Sequence, residues 1–270
     1  MWVRLLLVSL FIVSMISDAM AEELRILAAG SLREVMAEIG KRYTEGTGIP
    51  VLADFGPSGL LRERIEKGEH ADLFASADMG HPLKLLRDGR ATRVVMFTRN
   101  TLCGVALPQV RLTTGNFLDR LLDPAVNLGT STPKADPAGD YTWAMFHHAD
   151  AIRPGSYEIL QQKAQQIGGG ATSNAPIDGK DPAVAALASG RIDVVIGYCT
   201  SAQLRLSQMS ELQVVSVPSE IAAGPQYGLA VLKESDPRAP DFALFMLSRE
   251  GQQIFARHGF APLGLPAPER

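Results

Sequence analysis

The sequence predicts an α/β fold of two lobes. Short apolar runs alternate with segments whose apolar positions recur every three or four residues. That is the pattern of strands joined by helices, and it implies parallel sheets with right-handed crossovers. No heptad array, repeat or low-complexity linker interrupts the alternation. At 270 residues the chain accommodates two α/β lobes of about 100 residues each, a typical domain size.

Glu23 to Ala29 (ELRILAA) reads as the first strand. Ser31 then opens a helix: Ser31-Leu32-Arg33-Glu34 fits a capping box, and Leu32, Val35, Met36, Ile39 and Tyr43 fall on one face. Val51 to Phe55 is the next strand, Gly56-Pro57-Ser58-Gly59 turns the chain, and Ser58 caps a helix carrying Leu61 and Ile65. Ala71 to Ala77 (ADLFASA) is a third strand, followed by a short helix around Leu83 to Leu86. Val94 to Leu107 reads as extended, with a turn at Arg99-Asn100. A helix over Asn116 to Leu122, a strand over Val126 to Ser131, a helix from near Ala138 and another over Tyr157 to Ile167 follow. Gly168-Gly169-Gly170 and the polar stretch to Lys180 read as a loop, Asp181 to Gly190 as a helix, and Arg191 to Tyr198 as a buried strand. Strands over Leu212 to Val217 and near Tyr227 to Leu232 precede helices from Pro240 and Arg249.

Composition narrows the function classes. With 26 basic against 29 acidic residues the net charge is −3, which argues against a nucleic-acid partner, since a phosphate backbone calls for a basic face. Aromatic residues make up 6%, too few to suggest a base- or sugar-stacking surface. Residues 1–21 read as a signal peptide: Arg4 precedes a largely apolar run from Leu5 to Val13, and Ala19-Met20-Ala21 offers a small-x-small cleavage site. The run is too short for a spanning helix, which needs about 20 apolar residues. The protein is therefore expected to be exported, soluble and cleaved after Ala21. In an oxidising compartment an even cysteine count often means a bridge. Cys103 and Cys199, each in or beside an apolar run, are expected to pair, with two buried free thiols as the alternative.

Three helix starts share one chemistry. Ser31 in AAGSL, Ser58 in GPSGL and Ala138-Gly139 in DPAGDY each begin a helix after a strand. Helix N-termini offer unpaired N–H groups and a partial positive charge, so each is a potential anion seat. A serine there also looks like a plain N-cap, and the three make a site only if they converge. Enzyme signatures are absent: there is no HExxH, GxSxG or Walker loop. His147 and His148 are adjacent on a helix and cannot chelate one metal well, so no metal site is expected. His70, His81 and His258 read as surface or capping residues. Asp72 and Asp78 flank a buried strand and read as bracketing it and capping the next helix, rather than as a catalytic carboxylate pair.

AAGSL, FGPSG, HADLFASAD (His70 to Asp78), NTLCGVA (Asn100 to Ala106), DPAGDY, VVIGY and RHGF (Arg257 to Phe260) resemble the periplasmic molybdate-binding proteins, the solute receptors of ABC importers, from about Arg25 to Phe260. The resemblance implies a two-lobed periplasmic binding protein fold with the ligand in the interlobe cleft. Residues 22–98 plus 225–270 would form lobe 1 and residues 99–224 lobe 2. It implies a monomeric periplasmic receptor, without a resident cofactor, that captures molybdate and also tungstate and delivers it to an inner-membrane ABC permease. Carried over residue by residue, it places the oxyanion at Ser31 and Ser58, at backbone seats on Ala138 and Lys180, and at the Tyr198 hydroxyl. Lys180, Asp140 and the Pro133-Lys134 approach depart from the family pattern.

The chemistry of such a cage agrees with an oxyanion. A fully ionised tetrahedral oxyanion only accepts hydrogen bonds, so N–H and O–H donors at helix ends suffice without a formal counter-charge. Phosphate retains a proton near neutrality and needs an acceptor. Asp140 offers one, which leaves phosphate-like ligands open, although an acidic residue is also favoured in the first turn of any helix. A receptor for another small anion, sulfate or phosphate, is the alternative within the class. Lys180 reads equally well as a solvated loop lysine. The alternative of different class is an exported hydrolase using Asp72 and Asp78.

Overall fold

The computed structural model describes residues 23–171 and 180–264; the expected signal peptide and most of the loop before Lys180 lie outside the described residues. The chain opens with β1 (Leu24–Ala29), α1 (Arg33–Thr47), β2 (Val51–Gly56), α2 (Ser58–Glu66), β3 (Leu73–Ser76), α3 (Gly80–Arg87) and β4 (Ala91–Arg99). It then builds β5 (Leu102–Ala106), α4 (Phe117–Leu122), β6 (Leu128–Ser131), α5 (Pro137–Ile152), α6 (Ser156–Lys163), β7 (Gln165–Gly168), α7 (Pro182–Ala188), β8 (Val194–Tyr198), α8 (Ala202–Gln208) and β9 (Gln213–Ser216). It returns through β10 (Gln226–Leu232), α9 (Ala239–Leu247) and α10 (Arg249–Arg257). Two sheets result, ordered β2-β1-β3-β10-β4 and β7-β6-β8-β5-β9, one in each lobe of a two-lobed α/β protein.

Both sheets are mixed rather than wholly parallel. β1 runs parallel to β2 and β3, and β6 runs parallel to β7 and β8. The strands that follow the crossings between lobes insert in the opposite sense: β10 is antiparallel to β3 and β4, and β5 to β8 and β9. The helices bury the faces their periodicity marks. α1 covers its sheet with Val35, Met36, Ile39 and Tyr43, and Tyr43 meets Phe242 of α9 edge-on at 4.9 Å. α1 stops at Gly48, whose φ of 73° is the left-handed C-cap that glycine adopts without a steric penalty. Among the described residues no helix is long and apolar enough to cross a membrane.

Several local readings change. Ser31 forms no capping box. It lies in a 3₁₀ turn over Gly30–Leu32 ahead of α1, and its Oγ pairs with the Tyr227 hydroxyl at 2.9 Å. Ser58 is the first residue of α2 rather than its cap, and its Oγ accepts the Ala77 N–H at 3.1 Å. Both hydroxyls are drawn into bonds from distant strands, which local capping rules do not foresee. The helix expected to reach Ile167 ends at Lys163 and gives way to edge strand β7, and α8 is a helix that the sequence reading left out. Asp72 accepts the backbone N–H of Arg25 and of Asp236, both at 2.7 Å. Asp78 accepts the Ser76 hydroxyl and the His81 N–H. Each carboxylate ties its own stretch of chain, so they do not act as a pair.

The lobes are joined at Asn100-Thr101 and over residues 217–225. Buried Asn100 donates from Nδ2 to Thr200 Oγ1 in the second lobe (2.9 Å) and to the Tyr227 hydroxyl in the first (3.1 Å). A disulfide joins Cys103 of β5 to Cys199, directly after β8, with Cα atoms 4.9 Å apart.

Candidate functional site

A cleft of about 290 Å³ lies between the lobes. Its walls are the carboxyl ends of six strands: Ala29 ends β1, Gly56 β2, Ser131 β6, Gly168 β7 and Tyr198 β8, and Ala77 directly follows β3. Open α/β sheets hold ligands at this position, outside the carboxyl ends of their strands.

Three of the residues expected from the sequence line this cleft together: Ser31 from the first lobe, Ala138 and Tyr198 from the second. Ser58 sits just behind the wall, fully buried, holding the N–H of cleft residue Ala77 while Pro57 faces the space. Lys180 is not part of the cleft. It is exposed and borders a separate groove with Val184, Ser207 and Gln208. The end of α7 reaches the cleft through Asp181, Pro182 and Ala183 instead, because Lys180 precedes the N-cap and lies outside the helix end. Asp140, the acceptor considered for phosphate, also stays out of the lining. It accepts the Lys134 N–H at 2.9 Å, and burial raises its pKa.

Both second-lobe helix ends facing the cleft begin Asp-Pro, and this changes their chemistry. Asp136 Oδ1 accepts the Ala138 N–H at 3.1 Å and its Oδ2 accepts the Ser131 hydroxyl at 2.5 Å. Pro137 brings no N–H, and the Gly139 N–H goes to the Asp136 carbonyl at 2.9 Å. At α7, Asp181 Oδ1 accepts the Ala183 N–H at 2.8 Å, and Pro182 again brings none. The N–H that the resemblance assigns to the anion at Ala138 is thus held by the protein's own carboxylate. Burial pushes the Asp136 carboxyl above its ordinary range, against the hydrogen bonds from Ser131 and Ala138.

Donors come from side chains instead. The Tyr198 hydroxyl is buried with only the Tyr227 hydroxyl beside it, and burial keeps it protonated well above the ordinary tyrosine range. Two arginines that the sequence reading missed also line the cleft. Arg33 opens α1 and lies over the Phe55 ring, 4.6 Å from its centroid, an arrangement worth about 0.5–1 kcal/mol at an exposed site. Arg205 of α8 donates from Nε to Asp181 Oδ1 at 3.3 Å. The cleft therefore holds two guanidiniums and two carboxylates, so it is not the neutral donor cage expected from sequence.

The lobes also touch directly, through residues outside the cleft lining. The Gly59 N–H at the start of α2 donates to the Ala135 carbonyl of the second lobe at 2.9 Å, and the Gln226 N–H donates to the Tyr141 hydroxyl at 3.0 Å. Ser31, Tyr227, Asn100 and Thr200 form a chain of polar contacts from the cleft to the lobe connection. His147 stacks on Tyr157 with ring centroids 4.0 Å apart, while His148 Nδ1 lies 3.1 Å from the Ala222 carbonyl. The two rings have different surroundings and do not converge.

The family model described as Bacterial extracellular solute-binding protein matches residues 24–261. An uncharacterised protein of Pasteurella multocida (strain Pm70), PM1146, is 36% identical over 240 residues, covering 88% of this chain and 98% of that relative. The molybdate-binding protein ModA of Escherichia coli (strain K12) is 24% identical over 272 residues, covering 96% of this chain and 97% of its own. Among solved structures, the sulfate-binding protein SubI from Mycobacterium tuberculosis H37Rv superposes with a TM-score of 0.74 at 17% identity, over 90% of this chain and 87% of that one. That likeness is one of fold.

Proposed function

The chain belongs to the bacterial extracellular solute-binding protein family, and from that premise we propose that its interlobe cleft captures molybdate, and tungstate as well, for delivery to an inner-membrane ABC permease. The observation that carries this reading is the convergence of Ser31 from one lobe and Tyr198 from the other on one cleft at six strand ends. The relationship to a molybdate-binding protein along nearly the whole chain supports the choice of ligand. The protein would be exported, cleaved after Ala21 and act as a monomer. An anion held by donors from both lobes favours the closed arrangement, in which Gly59 meets Ala135, by as much as it binds that arrangement better than the open one.

A second reading follows from one feature. Asp181 places a carboxylate in the cleft wall, and an acceptor suits an oxyanion that keeps a proton, such as hydrogen phosphate. A thermal-shift screen of molybdate, tungstate, sulfate, phosphate and chromate separates the two. At a hundred times Kd a ligand stabilises by about 2.7 kcal/mol, which is about 5–10 °C for a protein of this size. Molybdate and tungstate are expected to give that shift. A shift with phosphate alone moves the ligand to the protonated class, and no shift with any of the five overturns the oxyanion reading.

A further inference from the structure

We propose that Arg205 is a ligand-binding residue of the cleft, supplying by formal charge what the closed helix ends of the second lobe withhold. The inference rests on the oxyanion reading and assigns the group that decides how the anion is held.

Arg205 occupies a prepared place. Its guanidinium lies against Gly197, where a Cβ would stand only 3.0 Å from Nη1, so the strand end leaves room for it by lacking a side chain. Its side chain is 13% exposed, yet it is poorly satisfied. A guanidinium carries five N–H donors. Arg205 has one carboxylate contact, Nε to Asp181 at 3.3 Å, and its Nη1 is buried with no partner among the described residues. Burying a cation without full pairing is unfavourable, and undersatisfied polar groups cluster at functional sites.

It does not stand alone. Thr130 Oγ1 is likewise buried without a partner among the described residues, and the buried Tyr198 hydroxyl has only the Tyr227 hydroxyl beside it; both residues are at least 95% buried and line the same cleft. Three donor-bearing side chains on one wall have fewer acceptors than donors, and a tetrahedral oxyanion has only acceptors to offer. The usual positive element, the helix N-terminus, is closed at α5 and α7 by Asp136, Pro137, Asp181 and Pro182. Among the described residues Arg205 is the cation left on that wall, and Asp181 positions it through Nε.

Calorimetric titration of wild type, Arg205→Met and Arg205→Lys with molybdate, sulfate and inorganic phosphate tests this, alongside the melting temperature of each ligand-free protein. Arg205→Met is expected to weaken whichever anion the wild type binds by about 10- to 100-fold, the loss of a hydrogen bond to a charged group. Its ligand-free melting temperature should fall, because Asp181 loses its cation and keeps only the Ala183 N–H, so affinity is the quantity that reads the proposal. Arg205→Lys should recover only part of the affinity, since it keeps the charge and loses the fork. Should Arg205→Met not fold, Arg205→Lys decides alone. Affinity within twofold of wild type in the decisive variant, whatever its melting temperature, makes Arg205 structural and overturns the proposal. Wild type that binds sulfate or phosphate but not molybdate overturns the molybdate reading while leaving Arg205 tested on that anion; wild type that binds none of the three overturns both.

Discussion

Gly59 offers a way to block closure without touching the ligand. Its N–H donates across the lobes to the Ala135 carbonyl at 2.9 Å, and a Cβ at this position would lie 2.4 Å from the Lys134 carbonyl oxygen and 2.8 Å from that of Ala135. Both obstacles are backbone, so neither can rotate away. Restoring an ordinary carbon–oxygen contact needs about 1 Å of retreat, which stretches the interlobe hydrogen bond beyond bonding range. Gly59→Ala should therefore destabilise the closed arrangement by at least the ~1 kcal/mol of one hydrogen bond and up to ~3 kcal/mol with the residual clash. Ligand affinity should fall about 5- to 150-fold. The substitution lies in α2, where alanine is favoured over glycine by about 1 kcal/mol, so the ligand-free protein should melt no lower than wild type. Calorimetry with molybdate and small-angle scattering with and without ligand read the two effects separately. Wild-type affinity together with ligand-induced compaction in Gly59→Ala would refute the view that this contact belongs to the bound state.

Ser31→Ala should weaken oxyanion binding by about 1–3 kcal/mol in calorimetry, whereas Ser58→Ala should also lower the melting temperature because it strips the partner from the Ala77 N–H; unchanged affinity in both would remove the serines from the site. Lys180→Ala should leave both affinity and its salt dependence at wild-type values, since the lysine borders a different groove; a changed salt slope would put its ammonium back at the ligand. Asp136 has a folded-state pKa raised above the ordinary 3.8, so the folded protein holds that proton longer than the unfolded chain. Its contribution is complete below about pH 3.8 and is lost as pH rises through the folded value. Asp136→Asn should consequently gain stability relative to wild type as pH rises from about 4, then level off, and a pH-independent difference in melting temperature would contradict this. Alkylation of the native protein without reductant should add no mass at Cys103 or Cys199, and two adducts would disprove the bridge.

What was legible in the sequence follows from what is local. β3 and β8 show as nearly continuous apolar runs because every residue in them is buried, and β1 departs from this only at exposed Arg25. β7 (QQIG) is a polar edge strand and α8 (AQLRLSQ) a short helix that buries only Ala202, so neither carries a periodic signal. Ser31 and Tyr198 were reachable through motifs at strand ends. Arg205 was not, since nothing in LRLSQ separates a cleft arginine from a surface one until α8 is folded against Gly197. The closing of α5 and α7 was written in the chain as Asp-Pro twice, an N-cap followed by a residue without N–H. Reading those starts as open anion seats overlooked that signal.

The most direct test is a crystal of the mature protein grown with molybdate and measured at the molybdenum absorption edge. One strong anomalous peak is expected in the interlobe cleft, with the anion's oxygens about 3 Å from Ser31 Oγ, the Tyr198 hydroxyl and the Arg205 guanidinium. A peak elsewhere on the protein, or an empty cleft at saturating molybdate, would contradict the assignment of this cleft to the oxyanion.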